Sequence, residues 1–371
     1  MSYAQIKSLP GFLAFFIAFA ISAAAQSGRT APTPPPGDDD GAEKIATEEI
    51  KLNVLAFNRQ GEFFQGVGKD DLVIAEDGVL HQPTSVRRIP ANVLIVLDTG
   101  GEERQAKSIA TTRATAKALI KSLQAEDSVA LLEYNDKARI IAEWTSDKAQ
   151  LAGALDKNLN FGRRSRFVEA LNLSLDFFAK SGAENRHLIL ITDGLDSTSN
   201  QTEREAAIRK ILATDINVHV ISYTKMEQDV VEKRVKSVSG GGTRRRELPP
   251  GADIPVQGQT RTYPVLTVNL DREMMRKIRE RGDNLAKSET ALAELSANTG
   301  GDMLLPETKN EMIEKTGLLA RNIDAQYVVT YTPKRPLADA ALGEIRTIEV
   351  TSKRQGLDVQ GRRKLAVLGR Q

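Results

Sequence analysis

The chain contains no cysteine in its 371 residues. Disulfide staples and a lipid-modified cysteine are therefore excluded, and the core must hold itself together by packing even in an oxidising compartment. Histidine is almost as scarce, with 3 in all, at His81, His187 and His219. None stands at a spacing that suggests a zinc site, and His187 and His219 fall in or beside apolar strand runs, where a structural role is expected. No Gly-x-Ser-x-Gly turn presents a nucleophile, and the cluster Ser197-Thr-Ser199 lies beyond a strand without one. The run Gly240-Gly-Gly-Thr-Arg-Arg-Arg246 lacks the Gly-Lys-[Ser/Thr] element of a phosphate loop. These absences argue against an enzyme, and the remote exception is magnesium-dependent phosphoryl transfer through Asp98. Excess charge is also missing: 51 basic against 49 acidic residues leave +2, which gives no global argument for nucleic acid.

A long apolar run is missing as well. The stretch from Phe12 to Ile21 falls short of the roughly 20 residues needed to span a bilayer. With Lys7 before it and Ala23 and Ala25 after it, it reads as a secretory signal peptide over residues 1–25, cleaved near Gln26. That predicts a secreted or periplasmic protein with no membrane span in the mature chain. Residues 26–47, centred on Pro34-Pro-Pro-Gly-Asp-Asp-Asp40, have the composition of a disordered, solvated tether.

What is present begins with Val93-Leu-Ile-Val-Leu-Asp-Thr-Gly-Gly-Glu102. Five consecutive aliphatics fit a strand buried on both faces, as a parallel sheet covered by helices requires. Asp98 ends that strand. A second run, Leu188-Ile-Leu-Ile-Thr-Asp-Gly-Leu-Asp196, repeats the pattern and places Asp193 in the same position. Ligands in open α/β sheets collect beyond such strand ends. Between the two runs, Gly162-Arg-Arg-Ser-Arg-Phe-Val-Glu-Ala-Leu171 is a polar loop entering an amphipathic helix.

Alternating strands and helices predict an α/β fold with a doubly wound, mostly parallel sheet over residues 91–324. Its helices include 103–124, with Ala106, Ile109, Ala116, Ile120 and Leu123 on one stripe, and single helices over 166–180 and 307–322. Ser128–Tyr134 and Ala138–Trp144 read as a hairpin that adds an antiparallel edge strand. Short strands over 48–90 are expected to pair with those of a C-terminal extension, 325–371, in one small β unit. Residues 225–285 read as an insertion with two charged helical pieces and a mobile Gly/Arg-rich centre at Arg244, Arg245 and Arg246.

The trio of loops resembles the von Willebrand factor type A domain, whose metal-ion-dependent adhesion site joins an Asp-x-Ser-x-Ser loop, a threonine and a second aspartate. The Gly-Lys-Asp-Asp-Leu-Val-Ile-Ala-Glu-Asp-Gly leader before the first core strand is similar to that of related exported proteins of acidobacteria. The resemblance implies a protein-binding module, with a protein partner and Mg2+ held by Asp98, Ser165 and Asp193. The first loop departs from the family, because Gly100 and Glu102 stand at its two serine positions. The site is thus expected to be degenerate. Glu102 reaches for any ion itself, or an arginine among Arg163, Arg164 and Arg166 replaces the ion and neutralises the carboxylates. Either substitution makes the surface a weaker carboxylate acceptor than the standard site. With an arginine as the cation, partner binding is insensitive to chelators. The alternative function is a structural component of an envelope assembly, with the insertion making the contacts.

Overall fold

The computed structural model describes residues 48–101, 108–239 and 268–367. The expected signal peptide and linker, Glu102, and Arg244, Arg245 and Arg246 lie outside the described residues.

The centre of the molecule is the strand β5. Leading to it are β1 (Ile50–Phe57), β2 (Leu72–Glu76), β3 (Val79–His81) and β4 (Ser85–Arg87), and β5 itself is Asn92–Asp98. Then come α1 (Ile109–Ser122), the hairpin β6 (Ser128–Tyr134) and β7 (Ala138–Thr145), α2 (Lys148–Asn158), α3 (Phe167–Ser181) and β8 (Arg186–Thr192). α4 (Gln201–Leu212), β9 (Asn217–Ser222), α5 (Thr224–Ser239), α6 (Val268–Thr299) and β10 (Met303–Leu304) complete the central layer and its covering. The described chain closes with α7 (Lys309–Glu314), α8 (Thr316–Asp324) and β11 (Gln326–Tyr331), then β12 (Ile345–Ser352), β13 (Asp358–Gln360) and β14 (Lys364–Ala366).

Six strands form the central sheet in the order β10-β9-β8-β5-β6-β7, parallel except for β7 at one edge. Side chains alternate across a strand. Val93, Ile95 and Leu97 of β5 therefore join one core with α1, α2, α7 and α8, while Leu94 and Val96 join a second with α3, α4 and α6. Every one of these five is fully buried, which is why the run is continuously aliphatic. β5 lies between β6 and β8, so the chain crosses to opposite sides from it, and a crevice opens above its carboxyl end.

A third core belongs to the β unit. The leader strand β1 pairs antiparallel with β11, Ile50 opposite Tyr331 and Leu52 opposite Val329, and with β13. A second sheet has the order β14-β12-β2-β3. Leu52, Val54, Tyr327 and Val329 of the first sheet pack with Leu72, Ile74 and Ile348 of the second in one cluster. Leader and terminal strands thus form a small sandwich of two four-stranded sheets, each drawing strands from both segments.

Two helical expectations are corrected. The helix expected over 307–322 is two helices, α7 and α8, meeting at Lys315, where the Thr316 hydroxyl donates to the carbonyl of Ile313 at 2.7 Å and competes with the helical ladder. The second charged piece of the insertion and the helix leading to Thr299 are one element: α6 runs through position 285 without a break. Its buried stripe is Leu285, Ser288, Leu292, Leu295, Ser296 and Thr299, a helical spacing that mixes leucine with small polar residues. α5 packs along it. α6 ends at Gly300, with φ of +79°, and at Gly301, where a Cβ would meet the Val218 carbonyl oxygen at 2.0 Å. Only glycine permits that approach of the turn to β9.

Candidate binding cleft

Three loops converge over the carboxyl ends of β5 and β8. Asp98 is buried there, and its carboxylate accepts from the Gly100 N–H at 3.1 Å, the Tyr134 hydroxyl at 2.9 Å, the Thr192 hydroxyl at 3.0 Å and the Ser165 hydroxyl at 3.3 Å. Burial, reinforced by the charges of Asp98 and Asp193, pushes the Tyr134 phenol well above its ordinary range, so it remains a donor. Hydrogen-bond donors from the loops and from β6 and β8 thus converge on this one carboxylate.

Asp193 is buried as well; its Oδ1 accepts from the Leu195 N–H at 2.9 Å, and its carbonyl oxygen accepts from Ser288 of α6 at 2.7 Å. Ser165 is buried and fixed to the third loop by two bonds, its N–H donating to the Ser197 hydroxyl at 3.0 Å and its carbonyl accepting from the Ser197 N–H at 2.8 Å. Asp196 accepts from the Val168 N–H at the start of α3 and from the N–H groups of Thr198 and Ser199. Burial raises the Asp196 carboxyl, but these donors outweigh it and hold its pKa below the usual carboxylate range.

The structure thus brings Asp98, Ser165 and Asp193 to one place. It does not bring the arginines onto them. Arg166 turns along the first turn of α3 and pairs with Glu169 at 3.0 Å, an i,i+3 contact. Arg163 and Arg164 are exposed, and among the described residues neither guanidinium forms an ion pair with Asp98 or Asp193. The neutralising contact expected of these three arginines is absent because the loop's main chain, not its side chains, meets the strand ends.

That main chain decides what the first loop can hold. A Cβ at Gly100 would lie 1.9 Å from the Arg164 carbonyl oxygen and 3.0 Å from the Asn135 Cα. The Gly162 N–H donates to the Thr99 carbonyl at 3.2 Å and the Arg164 N–H to Asp136 at 2.9 Å, so the two loops are clamped together. A serine has no room at position 100. Among the described residues no three acidic, histidine or cysteine side chains converge as a metal-binding group.

Other residues complete the cleft. It encloses about 450 Å³ and is lined by Arg163, Arg164, Ser165, Asp193, Leu195, Asp196 and Ser197, with Arg281 and Asn284 from α6 on the far side. Arg281 pairs with Glu227 of α5 at 2.6 Å. Arg204 of α4 donates to the Gly194 carbonyl at 2.8 Å and to Ser288 at 3.3 Å, and lies over the Phe167 ring. Sequence reasoning missed Tyr134, Thr192, Arg204, Arg281, Asn284 and Ser288. Tyr134 and Thr192 were within reach, since each is the last residue of a strand parallel to β5 and so shares its upper end.

The histidines lie elsewhere. The Asp302 N–H donates to His219 Nδ1 at 3.1 Å, which leaves the His219 Nε2–H to donate to His187 Nδ1 at 3.1 Å. The His187 Nε2–H then donates to Asn185 Oδ1 at 2.9 Å. His81 contacts the Val79 carbonyl and the Lys334 N–H in the sandwich. A larger cavity, about 780 Å³, lies away from the strand ends, between the sandwich and α8, lined by Phe57, Phe63, Leu318 and Arg321 among others.

A mixed sheet between two helical layers, with aspartates at adjacent strand ends and a hydroxyl loop between them, defines a von Willebrand factor type A fold. Residues 93–195 match the family described as the von Willebrand factor type A domain. An uncharacterised protein of Synechocystis sp. is 28% identical over 161 residues, 42% of this chain and 37% of that protein. The chain thus spans little more than a third of the length of this curated relative. Among solved structures, a von Willebrand factor type A protein from Catenulispora acidiphila aligns over 86% of this chain and 74% of its own, with 10% identity and a TM-score of 0.42. An aerotolerance-related membrane protein from Bacteroides fragilis aligns over 62% of this chain and 98% of its own, with 17% identity and a TM-score of 0.35.

Proposed function

We propose that this chain is an exported interaction module that holds a protein partner on the upper edge of its type A domain without a divalent ion. The observation that carries the reading is the seating of the Arg164 carbonyl against Gly100, which closes the serine position while neutral donors surround Asp98. An octahedral ion needs several oxygens directed at one point. Here Asp98 and Ser165 are directed at each other. An enzymatic role has no support from the histidines, each of which is engaged in hydrogen bonds away from the cleft. No described helix is long and apolar enough to cross a membrane.

Titration calorimetry with Mg2+ and Mn2+ on metal-stripped protein tests the ion. No stoichiometric heat is expected, and a micromolar signal abolished by Asp98→Ala would restore the metal-dependent reading. A photo-crosslinking residue at Leu195 tests the partner: it is expected to give one discrete adduct in envelope extracts, in EDTA as in Mg2+. Adducts from positions on α5 or α6 alone would favour the assembly-component reading. Export is tested by the intact mass of envelope-fraction protein, expected to begin at or near Gln26; retention of residues 1–25 would make that segment an anchor.

A further inference from the structure

We propose that Arg163 and Arg164 are a direct receptor for an acidic side chain of the partner, which they grip by their guanidinium forks rather than through an ion. The inference rests on the reading of the cleft as a partner-binding surface. Its first support is the contrast between main chain and side chain in this loop. The backbone from Gly162 to Ser165 is fastened to Thr99, Asp136, Gly100 and Ser197. The two guanidinia at its apex are exposed, and among the described residues neither has an ion pair or a side-chain hydrogen bond. Other arginines around the site behave differently: Arg139 grips Glu133, Arg166 grips Glu169, Arg204 grips a carbonyl and Arg281 grips Glu227. Two adjacent guanidinia left open on a fastened backbone need little reordering to bind.

The chemistry of the occupant follows from the fork and from the cleft walls. A planar guanidinium matches a carboxylate or a phosphate in bidentate geometry. Asp193 and Asp196 line the same cleft, and Asp196 stays ionised because three N–H groups hold its pKa down. Doubling the charge of the occupant doubles its attraction to the guanidinia and its repulsion from these carboxylates alike, so charge alone does not choose between the two anions. The reading of the cleft as a protein-binding surface does, because the anion that an unmodified protein side chain carries is a carboxylate. On the opposite wall Arg281 is neutralised by Glu227, so its contribution is shape, and the Asn284 amide offers neutral donors. The arginines predicted to neutralise the site from within are instead turned outward, available to a partner.

The test uses the full chain with arginine side chains labelled for NMR, in EDTA, titrated with acetyl-Ala-Glu-Ala-amide, its Gln counterpart and inorganic phosphate. The Glu peptide is expected to shift the Nε–H resonances of Arg163 and Arg164 saturably, and the Gln peptide and phosphate to leave them in place. Arg163→Gln and Arg164→Gln should each weaken binding about tenfold or more, with thermal stability unchanged because both side chains are exposed. Lysine at both positions should recover part of the affinity, since charge remains and the fork is lost. An equal response to phosphate, or to the Gln peptide, would overturn the carboxylate receptor. Peptide silence with the Leu195 adduct still formed in EDTA would overturn this inference alone. Binding that appears only on adding Mg2+ would overturn both it and the metal-free reading.

Discussion

The carbonyl oxygen of Arg164 occupies the space that a side chain at residue 100 would need, 1.9 Å from the ideal Cβ position. Restoring the family's serine by Gly100→Ser should therefore not restore a metal site. Overpacking against a fixed backbone destabilises by about 1–3 kcal/mol, and the separation here is short enough to expect the upper end of that range. Urea denaturation and Mg2+ calorimetry on the variant decide the matter: wild-type stability together with new Mg2+ binding would show that the loop yields.

Ile95 lies in the middle of β5 with no solvent exposure, between β6 and β8. Ile95→Asp puts a carboxylate into an apolar layer with no partner, at a cost of several kcal/mol. The variant is expected to be unfolded or to melt far below the parent in circular dichroism. A melting point within a degree or two of the parent would contradict the central position of this strand.

Burial, with the neighbouring His219 adding to it, depresses the His187 pKa well below the ordinary value for histidine. The unfolded chain takes up a proton at this residue as pH falls through about 6.5, while the folded chain does not. Stability should therefore be flat above that pH and decline below it by up to about 1.4 kcal/mol per pH unit for this one group. His187→Gln should lower the plateau yet remove most of that slope. Urea midpoints between pH 7.5 and 5 provide the measurement, and an equal slope in both proteins would assign the decline elsewhere.

Trypsin is expected to cut first among Arg244, Arg245 and Arg246, whose Gly/Arg-rich surroundings carry little to bury. α5 and α6, on either side, are joined by packing and by the Arg281–Glu227 pair. The two fragments should remain associated through size-exclusion chromatography with an unchanged melting curve. Separation of the fragments, or an earlier cut elsewhere, would show that this linkage is needed for the fold.

The parts legible in the sequence are those that depend on two-faced burial. Val93 to Leu97 and Leu188 to Ile191 could serve only as interior strands, and once they are parallel, Asp98 and Asp193 necessarily meet. Ser165 followed from its spacing before α3. The pairing of leader and terminal strands was readable as a need, since neither group suffices alone, but its register is set by side-chain complementarity across the sandwich. The continuity of α6 was hidden because Ser288, Ser296 and Thr299 stand in its buried stripe where an apolar pattern would be sought. The directions of the arginine side chains were not legible. Residue order shows that Arg166 precedes α3; only the path of the chain shows that its side chain follows the helix to Glu169.

At 32 residues, α6 is about 48 Å long. Arg281 and Asn284 near its first half face the cleft, Ser288 holds the Asp193 carbonyl, and its far end is wedged between β9 and the C-terminal segment, where a Cβ on Gly300 would meet the Arg362 nitrogen at 2.6 Å. One unbroken helix therefore touches both the wall of the cleft and the seam with the sandwich, so the seating of the Thr-Gly-Gly turn against β9 and Arg362 helps to set where Arg281 and Asn284 stand.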